Sequence, residues 1–247
     1  MQDRQEPSLP SIYRPIRAAS GARAPAVTLL RQAGAIPEGT LCWSDAGGRL
    51  SLALLLDPDG DWEQSAPVAL VAIVALGDAI GALAPPTVAV SNSWPDRLEA
   101  NGGLVAGVAL DGVGQDAAAP SRLILRLEAV VVPPGGPEPG HRPDLTSLAE
   151  EGCEEITPVG LLESFARHFL SWLHRWQEDG FAPVRASWRA RGPRIGTPVR
   201  VELREAKVAG GFRDLGPGGE LVLEAEGSER RIPLGEALAS GPSWSLP

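Results

Sequence analysis

Apolar positions along this chain follow two different periods, and the switches between them mark its elements. Two short apolar runs, Thr40–Ser44 and Leu50–Leu56, flank Asp45-Ala46-Gly47-Gly48 and predict two strands joined by a compact turn. The segment from Trp62 to Leu83, closed by Pro85-Pro86, predicts one long helix. Within this region the most apolar run, Pro67 to Ala84, is about long enough to span a bilayer, but Asp78 and the glycine and proline interruptions near its ends favour burial in a core. Val88–Asn92 predicts a strand feeding the segment Ser93–Val108. That segment alternates polar and apolar residues on both sides of Asn101-Gly102, the pair a tight type I′ turn favours because both central residues need positive φ. Trp94 and Pro95 are placed on the first strand of this hairpin, and Arg122–Val132 reads as a further strand.

From Pro158 to Glu178 the period changes. Leu161, Leu162, Phe165, Phe169, Leu170, Leu173 and Trp176 recur at three- and four-residue spacing, the stripe of an amphipathic helix that Asp179-Gly180 closes. A short helix follows over Val184–Ala190. Beyond Arg191-Gly192-Pro193 alternation returns in Val199, Val201, Leu203, Val208, Leu221-Val222-Leu223 and Ile232. With turns expected at Gly210-Gly211 and Gly218-Gly219, this part predicts a small β-barrel of SH3-like size. The organisation is therefore an extended, partly disordered arm over residues 1–24, a large domain over 25–193 and a small barrel over 194–247. A short helix is expected at Ala26–Ala33, and the proline- and glycine-rich stretch Pro133–Pro143 is a surface loop.

Composition removes several function classes. A formal net charge of -9 argues against nucleic acid, whose phosphates need a concentrated positive surface. Lys207 is the only lysine, so no lysine-dependent chemistry operates in the first two hundred residues, and Lys207 itself is expected at the surface. Cys42 and Cys153 form neither a disulfide framework nor a metal site. Met1–Pro10 lacks the apolar core of a signal peptide, and a cytoplasmic protein that does not enter membranes is the expectation. His168 and His174, six residues apart, point roughly 240° away from each other around a helix and do not share a face for a metal. Asp57, Asp59 and Asp61 alternate like part of a calcium loop, but Pro58 and the missing downstream glutamate make an acidic turn.

Trp94-Pro95 and Val105-Ala106-Gly107-Val108 resemble the centre of the biotin/lipoate protein ligase family, where a Trp-Pro-Asn-Asp strand turns and returns as Lys-x-Ala-Gly-(Ile/Val). Here Leu104 or Gly103 stands at the position of the family's catalytic lysine, and Trp94-Pro95-Asp96-Arg97 replaces the acidic motif. Leu161-Leu162-Glu163-Ser164-Phe165, Trp176–Phe181 with Trp188, Thr197–Val201 and Gly219–Leu223 resemble later family elements, over about residues 25–240. The resemblance implies an α+β fold: a biotin/lipoate-ligase-like mixed sheet flanked by helices, followed by a small SH3-like C-terminal β-barrel.

Family members activate a carboxylate with ATP and magnesium and pass it to a carrier lysine. The Gly/Arg-rich adenylate loop of the family is reduced here to Trp43–Arg49, and its Gly-x-Gly-x-Asn strand to Leu125-Arg126-Leu127-Glu128-Ala129. By resemblance, Trp94, Pro95, Asp96, Arg97, Leu104 and Gly107 are the ligand-binding residues, with Leu104 near the mouth of the pocket. No catalytic residue and no metal ligand is assigned. The expected function is a degenerate member that binds a small carboxylate or a carrier protein without efficient ligation. The alternative is an active ligase using arginine, such as Arg97 or Arg49, in place of lysine. ATP, magnesium and biotin or lipoate are implied only under retained activity, and a homodimer is left open.

Overall fold

The computed structural model of the chain describes residues 6–18, 25, 28–29, 35–133, 145–204 and 206–246. A seven-stranded mixed sheet contains β1 (Arg14–Arg17), β2 (Thr40–Ser44), β3 (Arg49–Leu56), β4 (Val90–Ser93), β5 (Arg97–Ala100), β6 (Gly103–Val113) and β7 (Arg122–Val130). Its spatial order is β1-β2-β3-β7-β6-β5-β4, antiparallel throughout except for the parallel β1–β2 pair. One face carries Leu50, Leu52, Leu54, Leu125, Leu127, Ala106 and Val108 into a core shared with the helices, α1 (Trp62–Ser65), α2 (Val68–Leu83), α3 (Pro158–Asp179) and α4 (Ala182–Arg191). The opposite face begins apolar at Cys42, Ala53, Leu55 and Ile124, then turns polar toward β6.

Helix α2 is buried nearly all round, which is why its sequence shows no amphipathic stripe. Asp78 is its one charge. The carboxylate accepts from Trp172 Nε1 of α3 at 2.6 Å and faces Arg191 Nη2 of α4 at 2.6 Å, pinning three helices together. The run Trp62–Leu83 is long and apolar enough to cross a membrane by length and composition, but most of it lies inside the protein.

A second sheet contains β8 (Pro198–Glu202), β9 (Lys207–Leu215), β10 (Leu221–Ala225) and β11 (Ser228–Ile232). It is antiparallel in the order β11-β10-β9-β8 and is followed by α5 (Leu234–Ala239). Val201, Val208, Phe212, Leu221 and Leu223 belong to the same continuous core as the larger sheet.

Several expectations are corrected. The helix expected to run unbroken from Trp62 to Leu83 divides at Pro67, which has no N–H to continue the ladder. The arm contains a strand, β1, whose Arg-Pro-Ile-Arg shows no alternation because it is an exposed edge. Trp94 and Pro95 are not in a strand: with Asp96 they form the turn between β4 and β5. Gly210-Gly211 is not a turn but the middle of β9, where a Cβ on Gly210 would lie 2.5 Å from the Glu224 carbonyl oxygen. Apart from Thr28 and Leu29, the helix expected at Ala26–Ala33 lies outside the described residues, as does the loop Pro133–Pro143 beyond Pro133.

Candidate functional site

Strands β4, β5 and β6 form two consecutive hairpins, and the short β5 between them ties both turns into one piece. At Asn101-Gly102 both residues have positive φ, 49° and 90°, as the type I′ turn requires. Asn101 also bonds across the turn, its side chain accepting from Ala89 N and donating to Glu151. The other turn, Trp94-Pro95-Asp96, sits against the second sheet. Trp94 is buried and its Nε1 donates to the Gly219 carbonyl at 2.9 Å.

Asp96 is 1% exposed. Burial pushes its carboxyl up to about 6, against the pull of two donors from Ser243 and the charge of Arg97. Ser243 N donates to Oδ2 at 2.9 Å and Ser243 Oγ to Oδ1. Arg97 is half-buried, and its Nε has no hydrogen-bond partner among the described residues.

Beside this turn opens a cleft of about 920 Å³. Trp94, Pro95 and Arg97 form one wall, Arg200, Glu202 and Arg204 a second, and residues Ser240 to Ser245 a third. Among the described residues, three guanidiniums line it with one carboxylate, Glu202, which Lys207 Nζ holds at 2.6 Å. That donor set suits an anion. It does not fit magnesium, which needs oxygen ligands.

On β6 the strand register puts Gly107, Ala109 and Asp111 on one face with Glu128 and Arg126 of β7 and Ser51 of β3. This is the polar half of the face turned away from the helices. Arg126 forks onto Asp111, its Nη2 at 3.2 Å from Oδ1, and Arg49 lies 4.0 Å from Glu128. Gly107 is covered from above: a Cβ there would fall 2.3 Å from the indole of Trp244, whose Nε1 donates to the Val108 carbonyl at 3.0 Å.

The structure thus brings Trp94, Pro95 and Arg97 to one cleft, with Asp96 and Gly107 held against the segment that forms its third wall. Leu104 does not line that cleft: it is 8% exposed and forms an isolated bridge to Leu145. Sequence reasoning missed Arg200, Arg204, Ser243 and Trp244. The available signal was Trp244 itself, a large aromatic residue in a Gly-Pro-Ser-Trp-Ser stretch with no apolar period to account for it. Lys207 is exposed as expected, and its partner is Glu202, not Asp96. His168 Nδ1 meets the Ser164 carbonyl oxygen in its own helix, and His174 faces Glu178.

A model of the biotin/lipoate A/B protein ligase family matches residues 9–190. A biotin–[acetyl-CoA-carboxylase] ligase of Paracoccus denitrificans is 29% identical over 201 residues, 81% of this chain and 83% of that protein. Among solved structures, a biotin protein ligase-like protein of unknown function from Silicibacter sp. TM1040 superimposes with a TM-score of 0.82 at 28% identity, covering 93% of this chain and 98% of that one. The biotin protein ligase of Aquifex aeolicus in complex with biotin and ATP superimposes with a TM-score of 0.72 at 18% identity, covering 90% of this chain and 96% of that one, a likeness of fold.

Proposed function

Since this chain belongs to the biotin/lipoate A/B protein ligase family, we propose that it is a binding member of that family, which holds a small ring-bearing carboxylate without ligating it efficiently. The observation that carries this reading is the lysine count. Family chemistry places an ammonium on the strand that returns from the hairpin, and here that strand carries Leu104, with the only lysine of the chain at Lys207. An acyl-adenylate forms through attack on the α-phosphorus, where charge builds up that a compact ammonium offsets. A guanidinium pairs well with a ground-state carboxylate or phosphate but is planar and delocalised, so Arg97 replaces binding better than it replaces catalysis.

In this reading Trp94, Pro95, Asp96, Arg97 and Gly107 form the ligand site, and Leu104 marks the place of the lost lysine. Arg126 and Glu128 narrow the face that smaller family residues leave open. The division into 25–193 and 194–247, the latter SH3-like, and a cytoplasmic setting for the reduced Cys42 and Cys153 belong to the same reading. An active ligase is the second reading, and what favours it is Arg97 on the cleft wall, whose buried Nε has no hydrogen-bond partner among the described residues.

Isothermal titration with biotin and with lipoate, run beside ATP–pyrophosphate exchange, separates the two. Binding without exchange supports the proposal; exchange at rates ordinary for a ligase overturns it in favour of the second reading.

A further inference from the structure

Residues 241–245 leave α5 at Gly241, whose φ of +93° turns the chain away from the helix axis, as a glycine after a helix end does. The base of this segment is fixed: Ser240 Oγ accepts from Arg204 N at 2.9 Å and donates to the Glu236 carbonyl. Among the described residues beyond Gly241, none joins a helix or a strand. Gly241 N still bonds back to the Leu238 carbonyl at 3.0 Å. Past it, among the described residues, three hydrogen bonds hold the segment down, two from Ser243 to Asp96 and one from Trp244 to the Val108 carbonyl, together with one face of an indole. Pro242 and Ser243 are exposed and Trp244 is only half-buried. Segments with so few buried contacts open at a small fraction of the global unfolding free energy.

The seat itself is specific. Only glycine at position 107 lets the ring lie on the strand, and glycine inside a strand marks a close approach of something to the backbone. Asp96, 1% exposed, accepts from the same segment on both carboxylate oxygens. Trp244 and Ser243 therefore occupy two of the positions that the ligand reading assigns to the ligand, on the face that also carries Arg126 and Glu128.

We propose that residues 241–245 form a removable strap, which seats Trp244 on Gly107 and Ser243 on Asp96 and must lift before a ring-bearing carboxylate can lie on that face. The inference rests on the ligand reading above. Strap and ligand compete for one surface, so the apparent affinity falls by the fraction of molecules with the strap up. A strap seated in about nine-tenths of molecules weakens binding about tenfold.

The test uses biotin as probe and the full chain, as wild type, Trp244→Ala and Ser243→Ala, each checked for folding by circular dichroism. Trp244→Ala is expected to bind biotin about tenfold tighter than wild type, with Ser243→Ala, which keeps the indole, in between. Hydrogen exchange gives a readout independent of affinity: the Ser243 amide is expected to lose protection when biotin saturates the wild type. Equal affinity in all three proteins, or protection retained under biotin, overturns the strap and leaves the ligand reading standing. Weaker binding by Trp244→Ala makes the indole a wall of the ligand site and overturns the strap as well. Absence of biotin binding in all three overturns the strap together with the reading beneath it.

Discussion

Trp94 Nε1 reaches the carbonyl of Gly219 across 2.9 Å of buried space, and through that bond the turn of the larger sheet is registered on the β9–β10 loop of the smaller one. The two residues stand 125 positions apart in the chain. Trp94→Phe keeps most of the apolar contact and removes the donor, leaving a buried carbonyl unpaired. A loss of about 1–3 kcal/mol in urea unfolding is expected. A variant as stable as wild type would show that the bond contributes nothing to the docking.

Gly219 is constrained from both sides. Its φ is +86°, and a Cβ would lie 2.8 Å from Leu70 Cδ1 and 2.9 Å from Leu234 Cδ2. Gly219→Ala combines backbone strain with overpacking and is expected to cost about 2–4 kcal/mol, more than Gly227→Ala, where φ is +76° and the space is open. Comparing the two melting temperatures isolates the packing part.

Asp96 gives a pH dependence of definite sign. Its carboxyl stands at about 6 in the folded chain against 3.8 ordinarily, so the folded chain holds this proton more tightly than the unfolded one. The resulting stabilisation is complete below about pH 4 and disappears as the pH rises through about 6, amounting to on the order of 3 kcal/mol. Asp96→Asn removes the titration and retains an acceptor for Ser243. Its stability relative to wild type is expected to rise between about pH 4 and pH 7. Parallel stability curves for the two proteins would contradict this.

Leu104→Lys is the test of lost chemistry. Loss of one charged transition-state donor costs about 10²–10³ in rate, so silence in the parent with partial biotin-dependent pyrophosphate exchange in this variant is the expected pair of results. Exchange in the parent at ordinary ligase rates would remove the need for a lysine on β6.

Asp78 anchors Trp172 and Arg191 from an otherwise apolar helix. Asp78→Ala leaves an arginine and an indole N–H without their partner at a partly buried site. A cost of about 2–4 kcal/mol is expected in chemical unfolding, and Asp78→Asn, which keeps an acceptor, falls between.

What was legible in the sequence was local. Asn101-Gly102 is read correctly because the turn's dihedrals are demanded by those two residues alone, and α3 because its stripe repeats over a long helix with one buried face. The mixed sheet and its helices follow from the order of such elements and from the family frame. Illegible parts were those set by contacts from afar. Gly210 looks like a turn residue until β10 is placed against it, and Pro67 is hidden in an apolar run because both halves of the helix are buried. At the candidate site, the Trp94-Pro95 frame could be read but its wall could not. Ser243 meets Asp96 across 147 residues, and no local pattern connects them.

Lys207 stands alone on the surface, its side chain 81% exposed in an ion pair with Glu202. That isolation decides how the chain meets acylating reagents. An activated acyl group is attacked by exposed, unprotonated amines, which expel its leaving group, and along this entire sequence it meets a single side-chain amine. Every other cation is a guanidinium, held protonated and poorly nucleophilic at physiological pH. An amine-directed acylating reagent therefore labels one side chain of this protein, Lys207, and leaves its arginines untouched.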